Sequence, residues 1–186
     1  MTAYAALLRG VNLGSVNRVS MPALVAACER AGLTGVSTYV QSGNAVFHSS
    51  APQAKLAGLL EGVLEADLGV GVRVLVRSAA ELAVVVAASP YAAAEPDPRL
   101  LHVTFLDVPP EPARAAALKA RAEPPEELAV VGREVYLHLP GGYGRSKLSN
   151  QLVEKQLGVA ATTRNWNTVM TLAQMTSSSG RLIRLG

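Results

Sequence analysis

The chain has 186 residues, 49% of them apolar, which suits one domain or two small half-domains with a buried core and excludes a disordered segment. Its 17 basic and 14 acidic residues leave a net charge of +3 with the basic side chains scattered, so charge permits a nucleic-acid partner without pointing to one. The single cysteine, Cys28, excludes an internal disulfide and a cysteine-cluster metal site; with no membrane-length apolar run and no basic start of a signal peptide, a cytoplasmic location is expected.

Tyr4 to Leu8 is a nearly continuous apolar run ended by Arg9-Gly10, the pattern of a strand covered on at least one face. A long polar loop follows, Arg9-Gly10-Val11-Asn12-Leu13-Gly14-Ser15-Val16-Asn17-Arg18. Its glycines let backbone N–H groups turn inward, and its two arginines and two asparagines supply donors suited to phosphate, carboxylate or amide groups. A plain β-to-α connection would explain the asparagines as backbone partners, but such connections usually run roughly two to six residues.

Ser20 is placed to cap a helix over Met21–Ala31, where Leu24, Ala27, Cys28 and Ala31 recur at helical spacing and Pro22 is tolerated in the first turn. That spacing makes Cys28 a buried small residue rather than a reactive thiol. Val36–Val40 and Ala45–His48 are β-type runs joined by Gln41-Ser42-Gly43-Asn44, a hairpin signal because glycine and asparagine accept positive φ. Pro52 opens a second helix carrying Leu56, Leu59, Leu60, Val63 and Leu64. Val70 to Arg77 alternates as a half-buried strand, and Ser78-Ala79-Ala80-Glu81 is a capping box for a third helix ending near Ala88.

The alanine- and proline-rich stretch Pro90–Arg99 is the natural internal boundary, and the order of elements repeats after it. Leu101–Leu106 reads as a strand, Glu111–Arg121 as a helix, and Leu128–Val131 with Glu134–Leu139 as a hairpin around Gly132-Arg133. The glycine loop Gly141-Gly142-Tyr143-Gly144 leads to Ser146 as the cap of a helix over Lys147–Leu157. Val159–Thr162 then forms a short strand, and Thr163 caps a helix through Met175. Each half is thus a βαββαβ unit followed by one extra helix. The fold class expected is α+β, a tandem duplication of two ferredoxin-like half-domains at residues 1–89 and 100–175, with a linker at 90–99 and a tail at 176–186.

In a unit of that kind the strands order 4-1-3-2, so the loop after the first strand and the hairpin between the second and third emerge at one end. Arg9, Gly10, Asn12, Gly14, Asn17 and Arg18 are thereby brought to Gln41, Ser42, Gly43 and Asn44, which form the leading candidate ligand site. The same topology groups Arg145, Lys147, Arg164, Asn165 and Trp166 with Tyr143 and Ser146 in the second half, beside two expected helix starts that each favour an anion by about 0.3–1 kcal/mol. There the alternative is a capping region with Trp166 in the core and solvated cations.

Neither cluster contains Asp, Glu or His, and Ser42 and Ser146 have no base nearby beyond Lys147, which its adjacency to Ser146 points elsewhere. His48, His102 and His138 lie on strands among apolar neighbours, a poor metal set. No cofactor and no metal are implied.

Arg9-Gly10-x-Asn12-x-Gly14, Tyr39-x-Gln41-Ser42-Gly43-Asn44 and Arg164-Asn165-Trp166-x-Thr168 together resemble the signature of the bacterial domain-of-unknown-function family 1697 over nearly the whole chain. The resemblance implies a tandem ferredoxin-like fold in a small soluble bacterial protein and carries no established reaction.

Three functional readings follow. The first is recognition of a small anionic or amide-bearing ligand at the polar loops, without a protein acid or base. The second is nucleic-acid binding on a sheet face carrying His102, Thr104, Tyr136 and His138, which would leave Leu101, Val103 and Phe105 against the helices. The third is a homodimer formed through Val70–Arg77 as an edge strand.

Overall fold

The opening apolar run becomes β1 (Thr2–Leu8), the second strand from one edge of a four-stranded sheet in the computed structural model, which describes residues 1–13 and 17–178. Ser20 accepts from the Ala23 N–H and starts α1 (Met21–Arg30), followed by the hairpin β2 (Thr34–Thr38) and β3 (Asn44–Ser49). α2 (Gln53–Leu68) begins after Pro52 and ends at Gly69, whose φ of 64° suits a left-handed helix stop. β4 (Val74–Ser78) completes a sheet of order β2-β3-β1-β4 in which every pairing is antiparallel. The capping box before α3 (Ala79–Ala87) forms as read: Ser78 N–H donates to Glu81 Oε2 at 2.7 Å and Glu81 N–H donates to Ser78 Oγ at 3.2 Å.

The order then recurs. β5 (Leu101–Leu106), α4 (Pro112–Lys119), the hairpin β6 (Glu127–Val131) and β7 (Glu134–His138), α5 (Asn150–Leu157) and β8 (Ala161–Asn165) build a second antiparallel sheet, ordered β6-β7-β5-β8. α6 (Trp166–Ser178) follows. The described residues thus form a mixed α+β protein of two four-stranded antiparallel sheets and six helices. Chain contacts divide it into Val84–Met170 and a unit of Met1–Ala83 with the stretch from Thr171.

In the N-terminal unit Tyr4, Ala6, Leu8, Ala45 and Phe47 face Leu24, Ala27 and Cys28 of α1 and Leu56, Leu60 and Leu64 of α2. Each fully buried leucine there stabilises the fold by about 1.5–3 kcal/mol. In the other unit Leu106, Val135, Leu137 and Ala161 pack with Leu118 of α4 and Val153 and Leu157 of α5.

Four expectations need correction. β4 starts at Val74 and is buried on both faces, with Arg77 only 1% exposed; an arginine at an alternating position reads as solvent-facing, yet its Nη1 donates to the Val76 carbonyl at 3.2 Å inside the protein. Ser149, not Ser146, caps α5, because Ser146 instead closes a local turn by accepting from Leu148 N–H at 2.9 Å. Thr163 lies within β8, held opposite Thr104, and the last helix starts at Trp166. That helix continues through the first residues assigned to a tail, and residues 179–186 lie outside those described.

The faces of the second sheet are also reversed. His102 pairs with Leu137, Thr104 with Val135 and Leu106 with Ala161, so His102 and Thr104 share the face covered by α4 and α5. Leu101, Val103, Phe105 and Tyr136 occupy the other face and are buried there too, and the Tyr136 hydroxyl donates to the Val85 carbonyl at 2.9 Å. Among the described residues this sheet has no open face bearing both His102 and Tyr136 for base stacking.

Candidate functional site

The polar loop after β1 folds onto the β2–β3 hairpin, bringing the neighbourhoods of residues 10 and 43 side by side. Leu8 N–H donates to the Gly43 carbonyl at 2.8 Å, and Asn12 supplies the cross-brace. Its Nδ2 donates to the carbonyls of Val19, at 2.8 Å, and Gln41, at 2.7 Å, while its Oδ1 accepts from Val19 N–H at 2.9 Å. Asn12 and Asn17 take φ of 55° and 50°, values that asparagine tolerates better than most residues, and Asn12 N–H donates to the Asn17 carbonyl at 3.1 Å. Asn17 Nδ2 reaches the Gly10 carbonyl at 3.4 Å. Gly14 lies outside the described residues.

Inside the hairpin Asn44 is fully buried, and its carboxamide donates to the Tyr39 carbonyl at 3.1 Å and Ser42 Oγ at 2.9 Å. Asn44 is a strand residue, and the positive φ of this turn falls instead on Val40, at 50°, and Gly43, at 73°. Gly43 is required twice over, since a Cβ there would run into the Val11 side chain and lie 2.9 Å from Leu8 Cβ. Gly43→Ala is expected to destabilise the protein by about 2 kcal/mol, read as a lower urea midpoint at unchanged slope.

These braces leave a cleft of about 400 Å³ where the loop runs into α1, lined by Arg18, Val19, Ser20, Met21, Pro22, Asn12 and Gln41. Asn12 is engaged with the backbone and the Ser20 hydroxyl with Ala23 N–H. The Arg18 guanidinium and the Gln41 carboxamide are exposed, and neither has a partner among the described residues. The cleft sits at the N-terminus of the ten-residue α1 and none of the described residues lining it is acidic, so helix dipole and arginine add at one place. Arg9 sits apart from this lining, its backbone N–H donating to the Arg73 carbonyl at 2.9 Å.

The second cluster assembles only in part. The 3₁₀ turn Tyr143–Arg145 lays Tyr143 over His102 at a ring separation of 4.8 Å, and Asn165 Nδ2 stands 3.5 Å from His102 Nε2. Asn165 Oδ1 accepts from Asn167 N–H at 3.0 Å, which fixes the amide so that its nitrogen faces the histidine. Beneath Tyr143 a polar chain runs through the core: Thr104 donates to Thr163 at 2.8 Å, Thr163 to Asn150 Oδ1 at 3.0 Å, and Asn150 N–H to the Tyr143 hydroxyl at 3.0 Å. His102 was not among the expected site residues. Period-two patterning places it on a strand but does not say which face the helices cover.

Arg164 and Trp166 are each only 8% exposed, and Arg145 and Lys147 are exposed. Arg164 Nη1 donates to Thr162 Oγ1 at 2.7 Å and to the Thr163 carbonyl at 2.9 Å, and burial lowers its pKa to about 10. Elsewhere, burial pushes the Cys28 thiol up to about 11, with Glu29 adding to the effect, so it stays protonated at neutral pH. His138, read as having apolar surroundings, in fact meets Glu95 at 2.9 Å; the Asp97 N–H and then His138 hold that carboxyl below the usual range.

Two α+β units, each with an antiparallel sheet, and a polar loop site at the end of the first sheet define the class of protein. A family model described as "Protein of unknown function (DUF1697)" matches residues 1–136, and the chain belongs to that family. The match contains the motifs around Arg9 and Asn44; Arg164-Asn165-Trp166 lies beyond it. No curated protein matches the chain. Among solved structures, a conserved bacterial protein from Streptococcus pneumoniae is similar in fold, with a TM-score of 0.76 at 23% identity over 94% of this chain and 98% of that one.

Proposed function

We propose that this chain is a bacterial cytoplasmic binding protein built from two ferredoxin-like halves, residues 1–89 and 100–175 joined by 90–99, whose first half recognises a small anionic or amide-bearing ligand. The repeated strand order supports the duplication, as do two buried arginines at matching places: Arg77 pairs with Ala5 and Arg164 with Val103, each one residue before the start of the next helix is capped or braced. The single cysteine, buried and protonated, fits a reducing compartment.

The observation that carries the binding reading is the cleft at the α1 N-terminus, where a cation and a carboxamide have no partners among the described residues. Arg18 supplies charge and Gln41 a donor or acceptor. Asn12, Asn17, Ser42, Gly43 and Asn44 hold the walls, and Gly10 belongs to the loop that carries them. Recognition needs no acid or base, and no reaction is assigned.

The test is a calorimetric titration of the full chain with inorganic phosphate and with acetate. Arg18→Ala is expected to weaken whichever anion binds by roughly 10- to 100-fold, the range of one lost charge-assisted hydrogen bond, while leaving the melting temperature within about 1 °C. Anion binding of equal strength in Arg18→Ala would overturn the assignment.

A further inference from the structure

We infer that the ligand of the N-terminal cleft is an amphipathic monoacid, a carboxylate on a short aliphatic or aromatic body, with its acid group at Arg18 and Gln41 and its body over Met21 and Pro22. This rests on the anion-binding reading above and adds the chemistry of the rest of the molecule. Among the described residues lining the cleft, the Asn12 amide is engaged with the backbone and Ser20 Oγ accepts from Ala23 N–H, which leaves one positive charge, one carboxamide and the proton of that hydroxyl for the ligand. The other described lining residues are Val19, whose side chain is buried in the core, Met21 and Pro22, none of which can reward a second charged group.

Size points the same way. At about 400 Å³ the cleft holds far more than an inorganic anion, since one water occupies only about 30 Å³ of liquid, and it falls in the range of small-molecule sites. Leu13 and Val40, the sequence neighbours of Asn12 and Gln41, are 72% and 50% exposed, so exposed apolar residues adjoin in the chain the two residues that tie the loop to the hairpin. Methionine at the first position of α1 adds an adaptable surface suited to an alkyl chain or a ring.

The test is a homologous series of acetate, butanoate and hexanoate, with hexanamide as the neutral control, titrated calorimetrically into the full chain and into Arg18→Ala and Met21→Ser, with circular dichroism confirming that both variants fold. Affinity is expected to rise about three- to fourfold per methylene, the transfer value of a buried CH₂. Hexanoate is expected to bind at least tenfold more tightly than hexanamide, Arg18→Ala to abolish that difference, and Met21→Ser to flatten the chain-length dependence. A flat series that still depends on Arg18 would overturn the amphipathic ligand and leave the anion site standing. Hexanamide binding as tightly as hexanoate, or no acid binding in an Arg18-dependent way, would overturn both.

Discussion

Asn44→Ala is expected to lower the melting temperature by roughly 6–12 °C, the consequence of losing about 2–4 kcal/mol of stability in a chain of this size. The side chain is 0% exposed, and its amide bonds the Tyr39 carbonyl and Ser42 Oγ across the turn that Asn44 closes. Truncation removes two hydrogen bonds of about 0.5–1.5 kcal/mol each and leaves a small polar cavity that Ala cannot fill. Asn44→Asp is expected to be no better, because it replaces a buried donor with a carboxylate facing a carbonyl. Because Gly43 supports Leu8 and Val11, and Asn12 braces the loop against Gln41, the damage spreads to the cleft, and anion affinity falls together with stability. An unmoved melting temperature with binding lost would instead make Asn44 a direct ligand contact. Arg18→Ala is the opposite case, in which binding changes and stability does not.

That contrast shows what the sequence can and cannot specify. The residues of the loop and hairpin were legible as important because glycines and asparagines there have few local uses, and chain topology brought them together across some thirty positions. Their roles were not legible. A carboxamide serves equally well as a ligand donor and as a brace between backbone segments, and only burial separates Asn12 and Asn44 from Gln41. The β5 strand, the Ser78–Glu81 box and the Ser20 cap were readable because their signals are local. The buried second face of β4 was not, since Arg73 and Arg77 look alike in an alternating pattern, yet Arg73 is exposed and Arg77 lies inside. Ser146 and Ser149 are likewise both good caps by type. Their three-residue spacing let one close a turn and the other start α5.

Acidification from pH 7 to about 4 is expected to remove up to about 3 kcal/mol of stability through His102 alone. The ring is 8% exposed, and desolvation lowers its pKa from the ordinary 6.5 to about 4. Between those two values the unfolded chain binds a proton that the native chain does not, so stability is complete above pH 6.5 and declines as the pH falls toward 4, below which both states are protonated. The hydrogen bonding agrees with a neutral ring. Asn165 Nδ2 has nearer acceptors in the Pro98 and Arg99 carbonyls than in His102 Nε2, and His102 Nδ1 is buried with no partner among the described residues, so a protonated ring would find no acceptor there. His102→Phe keeps an aromatic ring under Tyr143 and removes that unpartnered polar atom, so the variant is expected to be at least as stable as the native chain at pH 7 and to lose this part of its acid sensitivity. Urea unfolding of both proteins at pH 7 and pH 4.5 measures the difference directly. Equal pH dependence in the two would mean that the histidine is solvated in the native state, and that the stacked Tyr143 does not seal it from water.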